Sequence, residues 1–531
     1  MGNVYLLDCT LRDGGYLNDW AFGQNSISSI FERLVSANID VIEVGFLDER
    51  RSFDLNRTIM PNTESVGKIF GELSVGSSMV VGMIDYGTCG IENIQPCEQS
   101  WLDGIRVIFK KEKMYPAVAF CRQIKALGYK VFIQAVSITS YSDDELRELV
   151  SLVNDCHPYA MSMVDTYGLC DEATLAHIID VIDACLDQNI TLGYHAHNNF
   201  QLGYSNAMSV LNKGLKRDVL VDGTLYGMGK SAGNAPLELL AMYMNVHYGK
   251  HYGVTQIQEA ISTSILDLFH KRPWGYTLFY YIAASNQCHP DYVSHLMNKC
   301  TLSITSVNEI LRQIPKEQKL DKNMALIERL YLEYQAKVCD DRKAISKLRG
   351  ELSGKKVLML GPGKSMQEEK DKILAYIDRE KPVTVAINYI PEDLSINYLF
   401  LTNTKRYLQM SSRLLRQKSL RTQIIATSNV TPTEGEFSFV VNYGSLIDQN
   451  AEIVDNSMVM LLKLLKDVGV SHVALAGFDG YTPDSFNYFD VNMEYSFVKS
   501  KADMLNKYGR EFLKAFGMDI ALTFVTDSQY V

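Results

Sequence analysis

VYLLDCTLRDGGY (4–16) begins as a strand and ends as something else. An apolar run, Val4-Tyr5-Leu6-Leu7, passes into Asp8, Arg12 and Asp13 and then into two glycines, where a strand should turn into a loop. Taken alone, D-x-T-x-R-D-G is compatible with a solvated turn. Its meaning depends on whether the rest of the chain supplies partners.

To about residue 240 the same theme recurs. Short β-branched runs stand at VIEVGF (41–46), MVVGMID (79–85), GIRVIF (104–109), KVFIQAV (130–136), AMSMVDT (160–166), ITLGYHAH (190–197) and VLVDGTL (219–225). Amphipathic helical patterns separate them, such as SISSIFERLVSAN (26–38), DELRELVSLVND (144–155) and ATLAHIIDVIDACLDQ (173–188). Near-continuous apolar strands alternating with helices are parallel strands buried on both faces. Eight such units in about 240 residues match a (β/α)8 barrel in number and length. A doubly wound open sheet is the alternative; the regularity of eight repeats favours closure.

A barrel places its chemistry at the C-terminal ends of its strands. Arg12 and Asp13 follow the first strand, Asp85 ends the third, Asp165 and Thr166 the sixth, and His195 and His197 the seventh. Asp222 and the glycine-rich loop GMGKSAGNAP (227–236) follow the eighth. Solvated turns alone rarely gather polar residues at one end in this way.

Histidines two apart on a strand share a face. His195 and His197 inside a barrel mouth therefore form a metal-ligand pair, although surface strands also carry such pairs by chance. Strand one lies close to strand seven in a closed barrel, so Asp13 can add a carboxylate oxygen. Two imidazoles and one carboxylate leave coordination positions open for a substrate. An α-keto acid would chelate such an ion, and Arg12 would donate to the developing enolate oxygen.

DCTLRDGG, HAHNN followed by LGYSNA, and VDGTLYGMGKSAGNAPLE together resemble the DRE-TIM metallolyases, the superfamily of 3-hydroxy-3-methylglutaryl-CoA lyase and isopropylmalate synthase. The likeness covers about residues 1–240 and is closest to the 4-hydroxy-2-oxovalerate aldolase branch. It implies a divalent ion, manganese or magnesium with zinc as a further option, on Asp13, His195 and His197, and an enolate-stabilising role for Arg12. It also implies a small hydroxyl, Thr166, near a bound 2-oxo acid, and places Asn234 beside the metal. The branch carries a histidine base three residues after the metal aspartate. Tyr16 stands there instead, with an ordinary pKa near 10; it acts as a base or only packs against substrate. In the following segment, Tyr276, Tyr280 or His289 would serve as proton donors or as packing.

Residues 245–350 read as a helical segment and 351–531 as a second α/β domain. LGPGKS (360–365) there follows a strand and opens a helix. Gly361, Gly363, Lys364 and Ser365 could hold a phosphate at the helix N-terminus, or make only a tight turn. It is not a P-loop, which needs glycine where Leu358 stands. VLMLGPGKS, AINYIPE, YLFLTNTKRY and VALAGFDGY look like Rossmann-like nucleotide-binding folds of bacterial sialyltransferase-type and related surface-polysaccharide proteins. That resemblance implies a nucleotide or nucleotide-sugar ligand and a place in polysaccharide biosynthesis.

The whole chain sets the bounds. Its 531 residues exceed one core, and 47% hydrophobic with 21% charged residues is a globular balance. A net charge of −10 argues against nonspecific nucleic-acid binding. Ten cysteines without a C-x-x-C pair, no apolar leader and no long apolar run predict a cytoplasmic protein with reduced thiols and no membrane span. Self-association is left open. The expected function is a metal-dependent aldolase acting on a 2-oxo acid and an aldehyde or ketone, the latter on a nucleotide- or phosphate-linked sugar. A Claisen-type acyl-CoA condensation and a catalytically silent binding scaffold are the alternatives.

Overall fold

The computed structural model describes residues 2–299, 302–335, 339–416, 422–430, 437–448, 453–490, 493–494 and 496–531. The chain forms two compact units, Met1–Pro290 and Asp291–Val531.

In the first unit eight parallel strands close on themselves. They are β1 (Val4–Asp8), β2 (Val41–Leu47), β3 (Met79–Asp85), β4 (Gly104–Phe109), β5 (Lys130–Ala135), β6 (Ala160–Asp165), β7 (Thr191–Ala196) and β8 (Val219–Gly223). Each pairs with the next, and β1 pairs with both β8 and β2, at Asp8↔Gly223 and Leu7↔Val41, which completes the barrel. A two-residue strand, Ile59–Met60, flanks β2.

The barrel interior is layered. Leu7, Val41, Val81, Phe132, Ala160 and Leu220 share an apolar cluster. Because side chains alternate, the residues two positions further along four of these strands face the same interior: Glu43, Gln134, Ser162 and Asp222. All four are buried, as is Arg106 of β4. A polar layer thus lies above the apolar one, toward the C-terminal mouth.

Outside, the helices turn apolar stripes inward. In Asp143–Cys156 the stripe is Leu146, Leu149, Val150, Val153 and Cys156, and a Ser142/Glu145 capping box fixes its start. The first helices beyond the barrel strands join the barrel core, and the two compact units divide only after Pro290. Ile257, Ala260 and Ile265 enter the same core as Ile27, Phe31 and Leu34, so the division expected at 244 is absent.

In the second unit the division expected at 350 also disappears. Leu348 and Leu352 of helix Arg342–Leu352 are buried in one cluster with Val357, Met359 and Val385. Seven parallel strands follow: β9 (Lys356–Leu360), β10 (Val383–Ile387), β11 (Tyr398–Leu401), β12 (Gln423–Thr427), β13 (Phe439–Val441), β14 (His472–Ala476) and β15 (Ala521–Phe524). Their order is β13-β12-β11-β10-β9-β14-β15, so strand progression reverses between β9 and β14. The terminal strand β15 was not expected from its sequence. Among the described residues no helix is long and apolar enough to cross a membrane.

Candidate active site

Asp13 ends a one-turn helix, Thr10–Asp13, directly after β1. That turn is pinned from outside, since Trp20 Nε1 donates to Arg12 O at 2.7 Å and Thr58 Oγ1 donates to Leu11 O at 2.6 Å. His195 lies in β7 and His197 just past it. Asp13, His195 and His197, all buried, offer ligand atoms that lie within 4.8 Å of one another.

The hydrogen bonds orient each ligand. His195 Nδ1 faces Asp222 Oδ2 at 2.9 Å, which leaves Nε2 facing Asp13 Oδ2 at 3.6 Å. His197 Nδ1 meets the Lys230 carbonyl at 3.1 Å. A carbonyl only accepts, so this nitrogen carries the proton and Nε2 keeps its lone pair. Burial holds the His197 imidazole neutral, with its pKa pushed down to about 4. On His195 burial also opposes charge, but the carboxylates of Asp13 and Asp222 outweigh it and raise the pKa. Burial likewise disfavours charge on Asp13, yet the adjacent Arg12 guanidinium keeps it ionised, well below the usual carboxylate range.

The glycine loop completes the pocket. Lys230 N and Asn234 Nδ2 donate to Asp13 Oδ1 at 2.9 and 3.0 Å. Asn234 Oδ1 is buried with no hydrogen-bond partner. A Cβ on Gly229 would stand 2.6 Å from Asp13 Oδ1, so only glycine lets the loop pass. Gly233 adopts φ +84°, the left-handed region glycine favours. Two imidazole nitrogens, a carboxylate and an orphaned amide oxygen suit a divalent ion of the Mn, Mg or Zn type.

Charge points the same way. Asp13, Glu43 and Asp222 face two guanidiniums, those of Arg12 and Arg106, in the barrel centre. Acids outnumber guanidiniums there, which favours a cation among them. A second cluster, Cys9, His195 and Asp222, is a poorer site. Burial pushes the Cys9 thiol well up, away from the thiolate a metal needs, and the Nδ1 of His195 is already committed to Asp222.

Arg12 is 4% exposed. Its Nε donates to Glu43 Oε2 at 2.7 Å and its Nη1 to Asp13, while Nη2 has no hydrogen-bond partner among the described residues. Arg106 in turn spans Asp222, Gln134 Oε1 at 3.0 Å and Glu43 at 3.2 Å. Glu43 and Arg106 escaped the sequence reading. Their signal was present as single charges in the middle of VIEVGF and GIRVIF, where a purely structural strand would be apolar.

Other expected residues behave differently. Tyr16 packs edge-on against Trp20 and Phe46, and burial drives its phenol pKa up, so it stays protonated. The Lys230 ammonium lies 5.2 Å from its ring centroid, so Tyr16 stands in the pocket wall beside the glycine loop. Thr166 sits at the mouth, but its hydroxyl oxygen accepts from Ser137 N at 2.8 Å. His289 packs edge-on to Tyr167, beside the end of β6, and Tyr276 is half exposed.

The phosphate loop expected at 360–365 is internally satisfied. Gly361 N donates to Ala476 O and Gly363 N to Gly477 O, at 2.8 and 2.9 Å. Ser365 N donates to Asp479 Oδ2 at 2.9 Å, and its hydroxyl also engages Asp479. A carboxylate therefore stands at this helix start, where a phosphate was expected, and the helix is only four residues long. Of the four residues named, Gly363 lines the larger cavity of the second unit.

The class defined is an α/β barrel with a two-histidine, one-carboxylate cluster at its C-terminal mouth. Residues 3–265 match the HMGL-like family, and the N-terminal half of the chain is an HMGL-like domain of the DRE-TIM superfamily. The oxaloacetate decarboxylase of Mycobacterium tuberculosis is 21% identical over 332 residues, 59% of this chain and 90% of that protein. The 4-hydroxy-2-oxovalerate aldolase of Pelotomaculum thermopropionicum is 23% identical over 275 residues, 51% of this chain and 78% of that protein. The 2-isopropylmalate synthase 2 of Caldanaerobacter subterraneus is 27% identical over 262 residues, 47% of this chain and 64% of that protein. At family level the barrel is that of a carbon–carbon lyase or related condensing enzyme.

Proposed function

We propose that the barrel is a divalent-metal-dependent aldolase that makes or breaks a carbon–carbon bond beside a pyruvate-type enolate. The observation that carries this reading is the convergence of Asp13, His195, His197 and the unpartnered Asn234 Oδ1 next to an arginine with a donor to spare. Asp13, His195 and His197, with Asn234 adjoining, would hold the ion. A bound divalent ion supplies Lewis acidity toward a 2-oxo acid's carboxylate and keto oxygens.

The chain's own residues do the rest. In the cleavage direction the substrate hydroxyl gives its proton to solvent water at the mouth, the bond between the carbinol carbon and the carbon next to the keto group breaks, and its electron pair passes to the keto oxygen as an enolate, which takes a proton from water at carbon to leave pyruvate and the carbonyl product. Arg12 Nη2 donates to the oxygen where that charge develops, while Nε and Nη1 stay clamped to Glu43 and Asp13. Such a clamp requires no reorganisation during reaction, which is where fixed donors gain most. Asp222 holds His195 in the tautomer that presents Nε2. Tyr16, kept protonated by burial, forms part of the wall. The acceptor we propose is an aldehyde or ketone on a phosphate- or nucleotide-linked sugar, which would place the enzyme in surface-polysaccharide metabolism.

Exchange of pyruvate methyl protons with deuterated water tests the enolate step without knowledge of the acceptor. Metal-loaded protein should catalyse exchange and chelated protein should not. Absence of exchange with Mn, Mg and Zn alike would refute the reading. Release of coenzyme A from acetyl-CoA would move the barrel to the condensing enzymes.

A further inference from the structure

The second unit holds a cavity of about 610 Å³ at the carboxyl ends of its strands. Its floor comes from Pro362 and Gly363 after β9, Asn388 after β10, Thr402 after β11, and Gly477 and Phe478 after β14. These strands straddle the reversal between β9 and β14. Open α/β sheets bind ligands in the crevice at such a point, because the flanking loops diverge there to opposite faces.

Tyr331, Phe478, Tyr481, Tyr488 and Tyr530 contribute aromatic rings to the lining, side chains suited to stacking. The lining also carries a fixed polar group. Asn388 Nδ2 donates to Thr402 Oγ1 and Ser457 Oγ, both at 3.0 Å, and these two hydroxyls lie 2.7 Å apart. Asn388 is held at φ 58°, a left-handed conformation that a non-glycine residue adopts at a cost and that clusters at binding sites. A smaller cavity of about 380 Å³ adjoins, and the two share Asn388, Arg406 and Met493. Arg406 is 7% exposed, so a buried guanidinium stands in the wall common to both chambers. Deep in the smaller chamber the Tyr389 hydroxyl is buried without a partner.

We infer that this double cavity is a binding site for a nucleoside diphosphate or its sugar conjugate. A ring lies against the aromatic side chains, sugar hydroxyls meet Asn388, Thr402 and Ser457, and the anionic linker passes Arg406 between the chambers. An apolar ligand would waste the polar group, and a simple phosphate would leave the aromatic side chains uncovered and most of the volume unfilled. The inference is independent of the chemistry assigned to the barrel.

The test is calorimetric titration of the full chain with ADP, GDP, UDP and CDP, beside the corresponding nucleosides and pyrophosphate. At least one diphosphate should bind with one site per chain and more tightly than its nucleoside or pyrophosphate. Arg406→Gln should weaken it roughly 10- to 100-fold, the effect of one hydrogen bond to a charged group, and leave the nucleoside unaffected. Leu332→Trp, at a half-exposed position lining the larger chamber, narrows it without touching the core and should also weaken binding. Pyruvate exchange in the barrel should be unchanged in both variants. Binding by none of the four diphosphates overturns the inference, as does full affinity in Leu332→Trp, which decides the matter if Arg406→Gln fails to fold.

Discussion

Arg12→Lys separates charge from geometry. Two guanidinium nitrogens are committed, Nε to Glu43 and Nη1 to Asp13, and Nη2 is the donor the proposed reaction uses. A lysine ammonium keeps the positive charge between the two carboxylates, so the ion site should still fill. A single nitrogen, however, cannot hold both acids and also reach the substrate oxygen, because the fork is lost. What disappears is one preorganised donor in a dry site. Such a loss costs about 2.7–4 kcal/mol of transition-state stabilisation, or roughly 10²- to 10³-fold in turnover. Proton NMR of pyruvate in deuterated water, with saturating metal, reads that step directly. Metal content and thermal unfolding of the variant show whether site and fold are intact. A metal-replete, folded variant that exchanges within about twofold of the parent would remove Arg12 from the chemistry, since twofold is far below the loss of one such donor.

The metal itself is tested by elemental analysis: about one divalent ion per chain is expected on the proposed ligand set, absent in Asp13→Ala and His195→Ala but only weakened in Asn234→Ala. Equal content in all four proteins would place the ion elsewhere. Asp222→Asn should leave the buried Arg106 with Glu43 as its remaining acid, which Arg12 already shares, and loosen His195; a destabilisation on the order of 3–5 kcal/mol in urea and about 10- to 100-fold weaker metal binding are expected, and unchanged values in both would deny the network a role. Burial raises the Asp8 carboxyl from 3.8 to about 7, although Thr10 hydrogen bonds oppose it. The folded state then holds a proton that the unfolded chain has lost, so stability falls as pH rises from about 4 to about 7, by about 1.4 kcal/mol per unit. Asp8→Asn should flatten that slope in urea titrations; parallel slopes for the two proteins would show that Asp8 is ionised in the fold.

The barrel was legible because its information is local. Each strand announces itself by composition, each helix by its stripe, and the number of repeats selects closure. The meeting of Asp13, His195 and His197 was legible for a related reason: all three sit at strand ends, where polarity interrupts an apolar run. The unit boundaries were not legible, because they depend on which core a helix joins. Helix Val254–Ala260 and helix Arg342–Leu352 are both amphipathic, and nothing in either stripe says that Ile257 packs beside Phe31 while Leu348 packs beside Val357. GPGKS failed for a different reason. Glycines at a strand-to-helix turn satisfy phosphate binding and back-to-back turn packing equally well, and only the fold reveals that Asp479, more than a hundred residues later, takes the Ser365 amide. Glu43 and Arg106 fall between these cases. A charge inside an apolar strand is costly to bury alone, so its presence in sequence already implies a buried counter-charge, and two such strands of opposite sign imply each other. What sequence lacks is register. Only the barrel shows that Glu43, Arg106 and Asp222 meet at one level, where they hold Arg12 on one side and His195 on the other. The residues that would bind the ion and the enolate are therefore oriented from beneath by charges whose own positions are fixed by strand pairing.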